Sequence, residues 1–316
     1  MRKQYVFGPV ASRRLGVSLG VDVIKASCCS LDCIYCEAGK TVDLTCQRKE
    51  YVELEKIKAE LAMVLDEKPV LDYITFSGAG EPTLNSRLAE LAQWIKLHYP
   101  QYKICLLTNG TLLGEPAVRA TLEYVDLAMP NFDASSEEEL RIINRPAAGI
   151  TVESLARGIR LAAAEHPGKL VLELFVVPGV NDSDESIARF VEYIRSFRHL
   201  RSVQLNTLDR PGVVDWIKPA GKDILKKFIA ALEPVIPVEA VGRFRYRSAA
   251  LVGKYTPDEM ESAIIELVRR RPATADDLAL TLAVEPEKAG DIAENLVRCG
   301  ILCAEKLERG IFYSAV

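Results

Sequence analysis

Tyr73-Ile-Thr-Phe-Ser-Gly78-Ala-Gly80-Glu81-Pro82-Thr-Leu84, a helical segment over 86–98 and then Lys103-Ile-Cys-Leu-Leu-Thr108 form the stretch whose pattern decides the fold class. Two short apolar runs with a helix between them predict parallel strands, because a parallel pair needs a long crossover connection. The alternation extends both ways. Residues 17–24 alternate apolar with small or polar side chains and predict a strand. Residues 53–67 place Leu54, Ile57, Leu61 and Leu65 on one helical face. Downstream, helices are predicted over 115–124, 135–143, 151–165, 184–197 and 221–232, with strands over 125–129, 170–177, 203–208 and 238–241. Pro116 suits a helix start, and Glu137-Glu-Glu139 gives an acidic first turn. About six βα units are too few for a closed eight-unit barrel. A partial barrel and an open doubly wound sheet fit this count equally, and in both the ligand site lies at the C-terminal ends of the strands.

Directly after the first predicted strand comes Cys29-Ser-Leu-Asp-Cys33-Ile-Tyr35-Cys36. Three thiols in so short a loop can converge on one metal centre. A four-iron cluster takes a ligand on each iron, so three cysteines leave one iron open. Structural zinc takes four closed ligands, often as paired Cys-x2-Cys halves; only one such pair is present and no histidine is near. The reading adopted is a cluster with an open iron. Cys28 and Cys46 lie close by as conceivable fourth ligands, although an extended loop turns Cys28 away. Cys105 alternates within a strand as a core residue, and Cys299 and Cys303 are expected to pack in a small apolar domain.

Other strand ends carry small and amide-bearing residues: Gly78, Gly80 and Glu81, then Thr108-Asn109-Gly110, then Pro178-Gly179-Val-Asn181-Asp182. Glycine lets backbone approach a ligand closely. Each motif alone is weak, but all fall on the sheet edge that carries the cysteines.

The 316 residues are 49% hydrophobic and 27% charged. They contain no apolar run long enough for a membrane span, and no apolar segment follows Met1-Arg-Lys-Gln-Tyr5. A cytoplasmic protein is expected, so the eight cysteines are not read as a disulfide framework. A net charge of −4 gives no global field to recruit nucleic acid. Arg13, Arg14 and Arg243-Phe-Arg245-Tyr-Arg247 suit phosphate contact and stacking. The preferred reading of these arginines is solvated charge and ion pairs between domains.

After residue 256 the alternation stops. Helices over 257–270, 274–282 and 286–299, a capping Gly300, and strands over 301–306 and 311–314 around Glu308-Arg-Gly310 predict a winged helix. Residues 257–316 hold seven Lys/Arg against twelve Asp/Glu, a net of −5, which argues against DNA and for a docking role.

The triple cysteine run with an aromatic before its last member, followed by Gly80-Glu81-Pro82 at the second strand, resembles the radical S-adenosylmethionine (radical SAM) superfamily over roughly residues 1–245. The resemblance implies a [4Fe–4S] cluster on Cys29, Cys33 and Cys36, with S-adenosylmethionine chelating the open iron. It implies that Tyr35 lies near the adenine, that Gly78, Gly80 and Glu81 lie near the methionine amino group, and that Asn109 and Asn181 serve the ribose and carboxylate. Asp133, Arg145, Asp209 and Arg210 become candidate substrate or sulfonium contacts. It further implies an oxygen-sensitive enzyme with a flavodoxin- or ferredoxin-like electron donor. Tyr5-x-Phe-Gly-Pro-Val-x-Ser-Arg-Arg-Leu-Gly and Asn206-Thr-Leu-Asp-Arg-Pro211 look more narrowly like relatives of the tRNA wyosine synthases. Those carry a second cluster on upstream cysteines, and no cysteine precedes Cys28 here.

The architecture taken forward is α/β: a partial (β/α)6 TIM-like barrel of parallel strands over 1–250 and a C-terminal winged-helix domain over 256–316. The function taken forward is reductive cleavage of S-adenosylmethionine and hydrogen abstraction from a peptide, protein or tRNA substrate. The alternative of another class is an iron–sulfur or zinc regulatory module, which has no need of a Gly-Glu-Pro turn.

Overall fold

A computed structural model describes residues 4–12, 14–24, 27–210, 212–241, 257–270, 272–282, 284–307 and 310–316. Arg13, the 250–256 boundary, the Arg243–Arg247 cluster and the Glu308-Arg309 turn lie outside the described residues.

The chain opens with β1 (Val6–Ser12), antiparallel to β2 (Gly16–Val21). The two-residue strands β3 (Cys28–Cys29) and β4 (Asp43–Leu44) pair in parallel across the cysteine loop. There follow α1 (Leu54–Leu65), β5 (Tyr73–Phe76), α2 (Leu88–His98), β6 (Ile104–Thr108), α3 (Pro116–Arg119) and β7 (Leu127–Pro130). The alternation continues with α4 (Glu137–Ile143), α5 (Val152–Glu165), β8 (Val171–Phe175), α6 (Asp184–Ser196), β9 (Ser202–Asn206), α7 (Lys222–Leu232) and β10 (Val238–Ala240).

Strands β2, β5, β6 and β7 form one parallel ladder, and β8, β9 and β10 another. Parallel bridges Ala128–Leu170 and Asn131–Glu173 join them at the β7–β8 edge. Apart from the short β3–β4 pair, the parallel strands therefore stand side by side in chain order, with helices as crossovers. Every residue of β8 and β9 is buried, as expected of strands covered on both faces. One core holds Leu19, Ile74, Phe76, Leu106, Leu172 and Leu205 with the inward faces of the helices, Ile57, Leu61, Leu91 and Ile95 among them. Cys105 packs with Leu15, Leu127, Met129 and Val171, which is the core role expected of it.

Helix starts follow local chemistry. Ser136 accepts a bond from the Glu139 N–H at the head of α4, and Thr151 and Ser154 form a reciprocal capping box on α5.

Residues 6–12 form a strand although they contain the turn residues Gly8 and Pro9, which sit where the β1–β2 register shifts and interrupt an otherwise regular ladder. One expectation is corrected. Cys299 and Cys303 are exposed rather than packed.

The C-terminal part comprises α8 (Pro257–Arg270), β11 (Ala273–Thr274), α9 (Ala275–Leu282), α10 (Pro286–Arg298), β12 (Leu302–Leu307) and β13 (Gly310–Ala315). Its sheet has the antiparallel order β11-β13-β12. It has a core of its own, built from Ile264, Leu267, Leu278, Leu282, Leu296 and Tyr313, and Val10 of β1 belongs to that core. No described helix is long and apolar enough to cross a membrane.

Candidate cofactor site around the cysteine loop

The cysteine loop lies beyond the C-terminal end of β2 and is pinned by backbone bonds on several sides. Asp32 N–H donates to Asn144 O and Ile34 N–H to Ile143 O, which hang the loop on the end of α4. Ser30 O accepts from Ala147 N–H, and Ile34 O from Val213 N–H. Ile34, between the second and third cysteines, is fully buried against Ile143, Phe175, Val177 and Ile217. The next side chain, Tyr35, stacks on Phe175 with centroids 3.8 Å apart and planes 8° from parallel.

Cys29, Cys33 and Cys36 are all partly buried, and each thiol is pushed above the ordinary value of 9.0, chiefly by burial. Cys29 rises to about 12, with Glu81 and Cys36 adding to the shift. Cys33 is raised further by Asp133 and by the other two cysteines. The three thiols thus feel one another's charge and stay protonated near neutral pH until a cation joins them.

Among the described residues, no three His, Cys, Asp or Glu side chains are placed to hold one metal ion. Thiolates on a single zinc must crowd within one tetrahedral shell at about 2.3 Å from the metal, whereas a cluster takes one thiolate at each of several irons. A set of three cysteines on one loop has the all-thiol chemistry of iron–sulfur ligation and lacks the fourth ligand of a closed zinc site.

Two carboxamides reach the sulfurs. Asn109 Nδ2 lies 3.4 Å from Cys29 Sγ and 2.9 Å from Ser30 Oγ. Asn144 Nδ2 lies 3.3 Å from Cys33 Sγ and 2.9 Å from Asp133 Oδ2. Asp133 is itself 3% exposed and accepts from Tyr35 Oη at 2.5 Å and from Phe175 N–H at 2.9 Å. Burial holds its carboxyl above the usual 3.8, against the pull of those donors. Asp133, expected as a substrate contact, is a hub that ties the loop to β7 and β8.

The glycine turn is stitched to the same loop. Ser27 N–H donates to Ala79 O at 2.7 Å and Glu81 N–H to Cys28 O at 3.1 Å. A Cβ on Gly80 would lie 2.2 Å from Cys28 O, and Gly78, at φ +129°, would meet Asp22. Glu81 is 2% exposed; Oε1 accepts from Thr83 N–H, Thr83 Oγ1 and Thr108 Oγ1, and Oε2 from Asn109 N–H at 2.7 Å. Its oxygens are engaged within the chain, where they join the β5 and β6 turns. Asn181 is likewise fully buried. Its Oδ1 accepts from Val177 N–H, and Nδ2 donates to Asp133 O and Phe175 O, all at 2.8 Å. It braces the turn after β8 from within, with its amide engaged at both ends.

Beside Cys36 opens a cavity of about 200 Å3, walled by Arg14, Tyr35, Glu173, Phe175, Asn206 and Arg210 among others. Arg14 pairs with Glu173 there, so this arginine belongs to the cavity wall. Arg210 is buried and pairs with Glu37 at 3.2 Å and with Asp277 of α9 at 3.3 Å. Arg145, at φ +43°, reaches Asp32 at 3.5 Å. Cys28 stands apart from the triad, its Sγ 3.6 Å from Asp43 Oδ2, and Cys46 packs against the main core.

Sequence reasoning missed Asn144 and Phe175. Asn144 is the C-cap of α4, and an asparagine there reads as ordinary capping. Phe175 looks like any other strand aromatic.

Residues 23–191 match the Radical SAM superfamily. The whole chain is 29% identical to a protein named GTPase Obg from Brachyspira hyodysenteriae, of which it spans about half, 46%. It is 31% identical, over 88% of its own length and 87% of the relative's, to a UPF0026 protein of Helicobacter pylori. A radical SAM methyltransferase from Sphaerobacter thermophilus has the same fold, with a TM-score of 0.54 at 18% identity over 74% of this chain and 67% of that one.

Proposed function

This chain belongs to the radical SAM superfamily, a family of enzymes, and on that premise we propose that Cys29, Cys33 and Cys36 hold a [4Fe–4S] cluster at which S-adenosylmethionine is reductively cleaved. The observation that carries the reading is the set of three partly buried thiols on one pinned loop, beside a cavity at the C-terminal ends of the strands. Once bound and given one electron by an external donor, the cluster would pass it to S-adenosylmethionine, breaking the S–C5′ bond to give methionine and a 5′-deoxyadenosyl radical able to take hydrogen from a substrate.

The protein's own contribution is placement. The Tyr35–Phe175 stack offers an aromatic wall next to Cys36, where an adenine can lie. Gly78 and Gly80 keep the turn close to the cysteine loop, so backbone groups there can meet the methionine end. Glu81 holds that turn rigid from beneath. Asn109 flanks the cluster at Cys29, while Asn181 braces the β8 turn.

The sequential order of parallel strands supports a partial barrel, and three helices with a three-stranded antiparallel sheet support a winged helix after residue 256. A net charge of −5 over 257–316 favours a peptide or protein substrate over tRNA. A cytoplasmic site and a flavodoxin- or ferredoxin-like donor go with this chemistry.

Anaerobically reconstituted protein is expected to bind about four irons per chain and, with dithionite and S-adenosylmethionine, to release 5′-deoxyadenosine. Cys33→Ala should abolish that release. Undiminished cleavage in the variant would sink the reading.

A further inference from the structure

We propose that Asn109 and Asn144 set the reduction potential of the cluster by donating hydrogen bonds to two of its three cysteine sulfurs. The inference rests on the cluster assignment above.

Which end of each carboxamide faces sulfur follows from its other partners. Asn109 Oδ1 accepts from both Thr111 N–H, at 3.0 Å, and Thr111 Oγ1, at 2.8 Å, so Nδ2 must be the end that faces Cys29. Asn144 places one amide atom 2.9 Å from Asp133 Oδ2. An ionised carboxylate only accepts, so that atom is Nδ2 and its second hydrogen is left for Cys33 Sγ. Asp133 is buried and held by Tyr35 and by the Phe175 N–H, which gives Asn144 a fixed mount. The two sulfurs therefore each receive an aimed side-chain donor.

Reduction adds negative charge to the cluster, part of which resides on sulfur. A donor aimed at sulfur stabilises the reduced form more than the oxidised form and raises the potential. The low dielectric of a buried site enlarges the difference. Both residues act through the ligands, so they are positioning residues for electron entry.

The test is an EPR-monitored potentiometric titration of the anaerobically reconstituted full chain, with Asn109→Ala and Asn144→Ala measured beside the parent and iron content determined for each. Each variant should keep its iron and shift to a lower midpoint, the reduced-to-oxidised ratio at fixed potential falling about tenfold, which is 59 mV for one electron. An unchanged midpoint at full iron content would overturn the inference and leave the cluster assignment standing. Loss of iron in both variants would also overturn it, because the amides would then be structural supports. A parent chain that takes up no iron would remove the cluster assignment itself. Should Asn144→Ala fail to fold, Asn109→Ala, at a residue that follows β6 and lies outside α4, still decides.

Discussion

Asp133 draws four donors onto one buried carboxylate: Tyr35 Oη, Asn144 Nδ2, Phe175 N–H and, more distantly, Asn131 Nδ2. Asp133→Asn would turn an NH2 group towards Asn144 Nδ2 or towards the Phe175 N–H, neither of which can accept, and should cost about 1–3 kcal/mol in denaturant unfolding of the metal-free chain. Tyr35→Phe removes one donor and leaves the others, so a smaller loss, about 1 kcal/mol, is expected in the same measurement. Burial also raises the Asp133 and Glu81 carboxyls above 3.8 and 4.5. A carboxyl raised on folding contributes stability that is complete below its unfolded value and lost as pH rises through its folded value. Glu50, Glu90 and Glu165 are lowered by their arginine and backbone partners, so their contribution is lost only beneath 4.5. Melting temperature of the metal-free chain should therefore fall as pH rises through the folded value of Glu81, against the opposite trend from His166, whose lowered value favours the side above 6.5, and Glu81→Gln should flatten that fall. None of this inward aim was legible beforehand. Strand-end residues such as Asp133, Glu81 and Asn181 look like ligand contacts because periodicity stops where the strand stops. Only the packed loop reveals that each one braces its neighbours.

Strands and turns were more legible, because a buried parallel strand writes itself as an apolar run. Tyr73–Phe76, Ile104–Thr108 and Val171–Phe175 form where the pattern predicts them. β1 was not legible, since Gly8 and Pro9 carry turn chemistry into a bulge, and the exposed positions of Cys299 and Cys303 ran against the usual burial of cysteine. The glycine turn marks the boundary between these cases: its composition was visible, but its partner was not. Gly80 lies so close to Cys28 O that a Cβ must displace backbone, whereas a Cβ on Gly114 would meet nothing within 4 Å. Gly80→Ala should cost about 1–3 kcal/mol as overpacking and push the glycine turn off the cysteine loop. Iron bound per chain after reconstitution should fall in Gly80→Ala and stay at the parent level in Gly114→Ala. Equal iron in both would mean that the contact between turn and loop does not matter to the site.

At the scale of the whole molecule, two cores meet at one strand. Val10 of β1 belongs to the C-terminal core, while Val6 of the same strand belongs to the parallel-strand core. The second link is electrostatic. Arg210, with its side chain 2% exposed, lies between Glu37, next to Cys36, and Asp277 on α9, so a charge on the acidic C-terminal part ends one residue from the cysteine triad. Asp277 also caps its own helix, accepting from Thr274 N–H at 3.2 Å while its N–H donates to Thr274 Oγ1 at 3.3 Å. The sequence displayed the acidic balance of this part but not the buried pairing of Asp277 with Arg210, because pairing across 67 positions leaves no local pattern. Removing Asp277 takes one carboxylate partner from the buried Arg210, and a buried charge that loses a partner is costly. Asp277→Ala should lower stability by about 1–3 kcal/mol through the lost pair and cap together. Asp277→Asn, which keeps a capping oxygen and loses only the charge, should recover part of that. The loss should appear first in the C-terminal part, as faster amide hydrogen exchange in α9 and α10 than in β5 and β6. Exchange raised equally in all four elements would show that the two cores unfold as one unit and that Arg210 is not a joint between them.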